Sequence, residues 1–346
     1  MRQWLTQMWY REPTGGSSAL QPLACLYGAV VNVRRRAYES GWFRTYRVDC
    51  PVLVVGNLTV GGTGKTPLVA WLATQLKGAG LEVGIASRGY GSNAAEPRIV
   101  NADSNSREVG DEPLLLRRRT GCLTAVGPDR VAVARLLVER GAQVIIADDG
   151  LQHLRLARDC EIVVVDGARG FGNGRLLPAG PLREPASRAG RADVVVVNGA
   201  AEHASLRAPA GAPVAGTALR MDLVLGDARP VDGREESRPL ESFRDGPVHA
   251  VAGIGHPARF FRELRALGLQ IMEHAFADHH PFTPRDLQFG DDRPVLMTEK
   301  DAVKCRQFAD ARLWYVPVTA CFSEAHAREL LDRVSRRLGL SLPPRG

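Results

Sequence analysis

The stretch VVGNLTVGGTGKTPLV, Val54 to Val69, runs from an apolar, β-branched segment through four glycines and one lysine into a helix-forming segment. A glycine-rich turn between strand and helix presents backbone N–H groups that have no intrahelical partner, and the helix dipole adds positive potential, so the spot attracts phosphate. The cradle expected here is Thr59, Val60, Gly61, Gly62, Thr63 and Gly64, with Lys65 reaching the β- and γ-phosphates and the Thr66 hydroxyl placed on Mg²⁺. The pattern GxxxxGK[ST] asks for glycine where this chain has Thr59. The competing reading is an ordinary strand-to-helix turn. Against it stands the chain's use of cations: only Lys65, Lys77, Lys300 and Lys304 are lysines among 45 basic residues. A lysine directly after Gly64 is then a chosen residue, because a compact ammonium fits inside a phosphate loop where a guanidinium does not.

The alternation of elements continues past that loop. VIIAD, EIVVVD and DVVVVN are near-continuous β-branched runs separated by helical segments, the pattern of parallel strands covered on both faces. This predicts an α/β fold, a P-loop NTPase-like, mostly parallel sheet with helices on both faces, over residues 47–221. A stretch rich in charge, Gly and Pro over 222–247 reads as a linker. A smaller α/β domain follows over 248–346, with VHAVAG, PVLMTEK and LWYVPV as strands. Its last helix carries an apolar stripe through Ala325, Leu330, Leu331 and Val334, which suits packing on a core.

With 346 residues, 45% of them hydrophobic, the chain has material for two cores. Its six cysteines show no CxxC and no paired Cys/His spacing, so neither a zinc site nor a disulfide framework is implied, and a reducing compartment fits. The net charge of +7 is concentrated at the front. Residues 1–50 hold seven arginines against Glu12, Glu39 and Asp49, together with Trp4, Trp9, Trp42 and four of the six tyrosines. Basic and amphipathic aromatic side chains together suit a headgroup region, and the apolar run Leu23 to Val31 falls short of the about 20 residues that span a bilayer. Residues 1–46 are therefore expected to contain an N-terminal helix on an anionic membrane surface, a helix packed on the core being the competing reading. No signal-peptide cleavage site follows.

Several side chains carry candidate chemistry. Asp148 and Asp149, in ADDGLQH, end an apolar strand where a carboxylate can hold Mg²⁺ beside the phosphate loop, although paired acids also form turns. Asp111 and Glu112, in GDEPLLL, stand where helix capping is an equally ordinary role. His279 and His280, in FADHHPF, are both suited to acid–base work, and spacing does not choose between them. Arg175, Arg183 and Glu184 lie on a Pro/Gly loop, where arginines either grip phosphate or face solvent. TEKD, Thr298 to Asp301, bears a faint likeness to base-reading loops.

Taken in order, VGNLTVGGTGKTP, SRGYG, GDEP, GPDR, DDGLQH, LLPAGPLREP, FADHHPF and MTEKDAVK resemble the tetraacyldisaccharide 4'-kinases of lipid A biosynthesis, over about residues 20 to 315. The resemblance implies an ATP- and Mg²⁺-dependent kinase, monomeric and monotopic on the cytoplasmic face of a Gram-negative inner membrane, that phosphorylates the 4'-hydroxyl of a tetraacylated glucosamine disaccharide 1-phosphate. It implies that Lys65 and Thr66 contact phosphate and metal, that Asp148 and Asp149 are metal-side acids, and that Asp111 is the base with His279 as its partner. Glu112, Arg183 and Glu184 would support metal, phosphates or substrate. That family's phosphate loop shares the departure at Thr59. The rival reading is a membrane-associated ATPase switch without a lipid acceptor. Nucleic acid is not an expected partner, because the basic excess sits among N-terminal aromatics and not along a groove.

Overall fold

Strands apolar at every position are buried on both faces only when helices cover each side of the sheet. The computed structural model, which describes residues 8–10, 18–89, 95–207 and 218–340, builds such a sheet. Its first eight strands in chain order are β1 (Val52–Gly56), β2 (Val83–Ser87), β3 (Arg98–Ile99), β4 (Leu123–Val126), β5 (Val144–Asp148), β6 (Cys160–Asp166), β7 (Val194–Asn198) and β8 (Leu219–Leu225). A second sheet takes β9 (Arg229–Pro230), β10 (Val248–Ala252), β11 (Ile271–Ala275), β12 (Val295–Thr298) and β13 (Leu313–Val316). The last strand, β14 (Val318–Cys321), returns to the first sheet. The spatial orders are β14-β8-β7-β6-β1-β5-β2-β4-β3 and β11-β10-β12-β13-β9. Every pairing is parallel except β14 with β8, β3 with β4, and β13 with β9, all at sheet edges.

Nine helices are labelled α1 (Gln21–Glu39), α2 (Lys65–Gly78), α3 (Ser106–Val109), α4 (Asp111–Thr120), α5 (Arg130–Glu139), α6 (Ala204–Arg207), α7 (Pro257–Ala266), α8 (Glu299–Cys305) and α9 (Glu324–Leu338). One face of the large sheet is covered by α2 and α9, through Leu68, Leu72 and Leu76 and through Leu330, Val334 and Leu338. The spacing of each set, four residues apart, lays them along one side of the helix. On the other face α5 contributes Val133, Ala134 and Leu137, beside Phe171 and Leu182 from the long segment after β6. The phosphate loop and the acids after β5 therefore emerge together at the carboxyl edge of central strands, where open α/β sheets bind ligands.

The partition of the chain differs from its composition. The segment 222–247 is not a free linker: β8 extends to Leu225, β9 pairs with β13, and Leu240 and Phe243 enter the core of the smaller sheet. Two-residue strands and single turns carry no periodicity, so charge, Gly and Pro dominate the reading there. The expected unit 248–346 is likewise split, because β14 and α9 belong to the large sheet. Adding β14 pairs one side of β8, which would otherwise be an exposed edge.

In α1 the usual amphipathic arrangement is reversed. Ala24, Gly28 and Ala37 are the buried positions, while Leu23, Leu26, Val30 and Val33 are 54%, 63%, 59% and 67% exposed. Small residues let the helix lie close to the segment beneath it; a Cβ on Gly28 would stand 2.7 Å from Leu176 Cδ1. Tyr27 Oη donates to the Arg183 carbonyl at 3.1 Å, and Arg34 donates to the Gln152 carbonyl at 3.0 Å. Among the described residues no helix is long and apolar enough to cross a membrane. Arg2, Trp4, Arg11 and Glu12 of the N-terminal basic region, and Tyr90 and Gly91 of SRGYG, lie outside the described residues.

Because α9 closes the large sheet, Leu330→Ala is expected to cost about 2–5 kcal/mol as a cavity in its core. Urea denaturation monitored through nucleotide-dependent protection reads that loss; an effect confined to the smaller sheet would contradict the packing.

Candidate active site

The phosphate loop is pinned from one side before any ligand enters. Thr59 bridges Leu182, Val60 N–H donates to the Pro181 carbonyl at 2.9 Å, and Arg183 N–H donates to the Leu58 carbonyl at 2.6 Å. This accounts for Thr59 where the generic pattern has glycine: the residue sits in an extended bridge, and positive φ is needed only later, at Gly61 (102°) and Gly64 (93°). Gly64 is the N-cap of α2 and supplies no capping side chain, so the first N–H groups of that helix face the loop. A Cβ at Gly64 would lie 2.8 Å from Asn198 Nδ2, which donates to the Thr63 carbonyl.

Four side chains form a charged lattice under the loop. Lys65 Nζ donates to Asn57 Oδ1 at 2.8 Å and lies 3.4 Å from Asp149 Oδ1. Arg183 meets both Asp149 oxygens, each at 3.0 Å, and also donates to Asn57 Oδ1. Burial pushes the Asp149 carboxyl up, but Lys65 and Arg183 outweigh it and hold the group well below the usual carboxylate range. Asp149 has φ of 50°, and with His279 at 61° it is one of two non-glycine residues in the left-handed region among those described. Such backbone strain concentrates at functional sites.

The neighbouring Asp148 has the opposite character. It is 2% exposed, and its Oδ1 has no hydrogen-bond partner. Burial, reinforced by the charge of Glu112 and opposed by Lys65, pushes its carboxyl up to about 7. Thr66 stands in the first turn of α2, and the Thr63 hydroxyl is also buried without a partner.

A second group joins the acids of α4 to residues that arrive from the smaller sheet. Asp111 opens α4 behind Gly110, and His279 Nδ1 stands 3.2 Å from its Oδ2. Lys300 Nζ is 3.3 Å from His279 Nε2 and donates to Glu112 Oε1 at 3.0 Å. Burial pulls the Lys300 ammonium down, but Glu112 and Asp278 outweigh it, so the group stays charged. An ammonium only donates, so Nε2 of His279 accepts, and the ring proton sits on Nδ1 and points at Asp111. For Glu112, burial raises the carboxyl, but Lys300 and then Lys65 outweigh it and the group is held low. Lys65 therefore lies within electrostatic reach of Glu112. A cavity of about 680 Å³ opens beside Asp111 and His279, with Arg107, Arg118, Lys304 and Arg306 on its walls.

Of the residues singled out from sequence, Lys65, Asp111, Glu112, Asp148, Asp149, Arg183 and His279 come together here. His280 turns away to Asp286 Oδ2 at 3.3 Å and packs among Phe276 and Phe282. Glu184 is buried against Gln152, 2.7 Å, and Arg188, 3.7 Å, away from the loop lattice. Arg175 lies beside Ser18 at 3.4 Å. Asn57, Lys300, Lys304 and Asp278 are the residues that sequence reasoning missed. The scarcity of lysine, applied there to Lys65 alone, equally marks Lys300 and Lys304.

A lysine-bearing glycine loop that opens a helix at the carboxyl edge of a parallel sheet, with acids ending the adjacent strand, defines a P-loop protein of the α/β class. Comparison with known proteins narrows the class. The family model for tetraacyldisaccharide-1-P 4'-kinase matches residues 17–336. Tetraacyldisaccharide 4'-kinase from Alkalilimnicola ehrlichii is 54% identical over 96% of this chain and 97% of its own length. The protein of the same name from Xanthomonas campestris is 51% identical over 91% of each chain. A crystal structure of LpxK from Aquifex aeolicus in complex with ATP superposes with a TM-score of 0.75 at 29% identity, over 93% of this chain and 99% of that one. The chain belongs to the tetraacyldisaccharide-1-P 4'-kinase family.

The raised Asp148 carboxyl sets a pH dependence. Unfolded, it titrates near 3.8; folded, near 7. The native protein holds the extra proton between those values, so stability falls as pH rises through that window. With chelator present and no nucleotide, the stability of Asp148→Asn relative to wild type should be higher at about pH 8 than at about pH 4. Thermal melts at the two pH values check this, and equal differences would refute it.

Proposed function

We propose that the chain transfers the γ-phosphoryl group of ATP to the 4'-hydroxyl of a tetraacylated glucosamine disaccharide 1-phosphate, giving the 4'-phosphorylated lipid A precursor. Membership of the family supports the reaction, and the ATP in the related Aquifex aeolicus structure supports the donor. The observation that carries the reading is the Asp111–His279–Lys300 chain set beside the phosphate loop. A nucleotide switch requires no such base.

Phosphoryl transfer asks the protein for positioning and charge stabilisation more than for covalent chemistry. Backbone N–H groups from Gly61 to Thr66 and the Lys65 ammonium receive the β- and γ-phosphates. Asp111 takes the proton of the attacking hydroxyl as its oxygen bonds to phosphorus and the bond to the ADP oxygen breaks. The Nδ1 proton of His279 holds the Asp111 carboxylate in place, and Lys300 fixes the tautomer. Arg183, gripped by Asp149, stands where charge builds on the transferring group.

Mg²⁺ fits the residues present. A buried carboxylate oxygen with no hydrogen-bond partner, Asp148 Oδ1, is a ready acceptor for a cation, and the Thr66 hydroxyl, in the first turn of α2, would be its companion. Asp149 and Glu112 are already engaged by Arg183 and Lys300. Among the described residues no three His, Cys, Asp or Glu side chains converge as a metal cage, which suits Mg²⁺, an ion usually bound by one or two carboxylates plus phosphates and water. When bound, the ion neutralises charge on the phosphates.

The outward apolar row of α1, with Trp42 86% exposed just beyond it, supports a peripheral or monotopic seat on the cytoplasmic face of the inner membrane, for a chain acting as a monomer. At about 0.8 kcal/mol per buried CH₂, four acyl chains keep the acceptor in the bilayer, so the enzyme has to come to it.

The test uses γ-labelled ATP and monophosphorylated acylated disaccharide in micelles. Wild type should label the lipid, Lys65→Ala should fail to hold nucleotide, and Asp111→Asn should lose about 10²–10⁴-fold in kcat while still binding ATP. Label appearing only as free phosphate would overturn the kinase reading in favour of the switch. Lys300→Met is expected to lower kcat with little change in the affinity for ATP; a loss confined to ATP affinity would make Lys300 a nucleotide ligand instead.

A further inference from the structure

Beneath the C-terminal half of α1 lies a second cavity, of about 470 Å³, that the transfer reaction does not use. Arg35, Arg47, Arg158, Arg188 and Arg191 line it, against Glu39 and Glu161. Asp159 and Glu184 reach two of these arginines from outside the lining, at Arg47 (2.6 Å) and Arg188 (3.7 Å). Glu39 itself meets Arg35 at 3.7 Å and Arg191 at 3.3 Å, so five guanidiniums stand against four carboxylates. Arg188 Nη1 is buried without a hydrogen-bond partner, although Arg188 is only 7% exposed and is already paired with Glu161 through Nη2; Arg35 Nε makes no hydrogen bond and meets only Glu39, at 3.7 Å. A buried guanidinium donor left unmatched is costly, and its natural complement is an oxyanion.

The cavity adjoins the aromatic residues that follow α1. Tyr38, on its wall, packs edge-on against Phe43 with ring centroids 5.2 Å apart, and Phe43 and Trp42 are exposed. On the reading that α1 lies on a lipid surface, on which this inference rests, the arginine cluster stands at headgroup depth. We infer that this cavity binds a lipid-borne phosphate group, taken in by Arg35, Arg188 and Arg191 while Trp42 and Phe43 enter the acyl boundary. The phosphate has two possible sources, the anionic phospholipid of the bilayer and the reducing-end phosphate of the acceptor itself.

Vesicle co-sedimentation of the full chain, on phosphatidylcholine alone and on phosphatidylcholine mixed with phosphatidylglycerol, tests the inference. Wild type should bind the anionic vesicles more tightly. Each of Arg35→Gln and Arg191→Gln should weaken that binding about fivefold, with little change on neutral vesicles. Both positions are at least partly exposed, so neither variant depends on the buried Arg188 for folding. Leu26→Ser with Val30→Ser separates the two readings: these should lose binding to both vesicle types, and if they do not, the membrane seat of α1 fails and not only the phosphate site. A lipid kinase assay in neutral micelles then identifies the source. A rise in the KM for the acceptor with kcat unchanged in Arg35→Gln assigns the site to the acceptor's own phosphate; an unchanged KM assigns it to bilayer phospholipid. Arginine variants that sediment with anionic vesicles as well as wild type does, and that also leave the KM for the acceptor unchanged, would overturn the inference.

Discussion

The contact between Lys300 and Glu112 ties one sheet to the other, and the site depends on it. Most residues of the site leave their sheet at the carboxyl end of a parallel strand, while Asp111 and Glu112 open α4. The phosphate loop follows β1, Asp148 and Asp149 end and follow β5, His279 follows β11 and Lys300 follows β12. Parallel sheets gather their loops in this way. What must be specified is their register, and the ammonium of Lys300 supplies it by meeting Glu112 and His279 together. Arg119 with Glu299, at 3.1 Å, repeats the tie about two turns further along α4. Moving the smaller sheet by a few ångströms would part Asp111 from its histidine before any strand was disturbed.

Adjacent acids in the same strand-end sequence acquire different natures from their surroundings. Asp149 is turned by its positive φ toward Lys65 and Arg183, and is fixed there as a permanent anion. Asp148 continues the strand into the interior, where burial penalises its charge and one oxygen goes unmatched. The first arrangement orients cations that face phosphate; the second leaves a carboxylate whose ionisation is favoured only when positive charge arrives. Environments that push neighbouring carboxyls apart are the usual way in which like residues take unlike roles.

Much of this was legible in the chain before any coordinates. Apolar runs without alternation gave the parallel sheet, and one lysine among many arginines marked the phosphate loop. Asp111 was harder, since an acid ahead of a helix is an ordinary capping residue; only contact with His279, 168 positions away, distinguishes it. The choice of His279 over His280 came from resemblance; in the structure the first ring, on a residue of positive φ, meets Asp111, and the second meets Asp286. Asn57 was illegible because its value lies in accepting from two cations at once, which no local pattern records. The return of β14 and α9 to the large sheet escaped for a similar reason: pairing between distant strands leaves no mark in sequence spacing.

The reversed polarity of α1 follows from what lies beneath it. A helix with large side chains inward would stand off from the loop at Leu176, whereas Ala24 and Gly28 allow Tyr27 to reach the Arg183 carbonyl. Arg183 in turn holds Asp149, and Asp149 holds Lys65. A single strut therefore runs from the proposed lipid-facing helix to the cation at the phosphate loop, through three side chains and one carbonyl. An enzyme whose acceptor stays in a bilayer has to fix the height of its donor phosphate above that bilayer, and a short rigid chain of contacts does so better than a flexible tether. On this argument the small residues of α1 matter to catalysis as spacers: enlarging them would lift the helix, and with it the hydroxyl, away from the phosphorus it must attack.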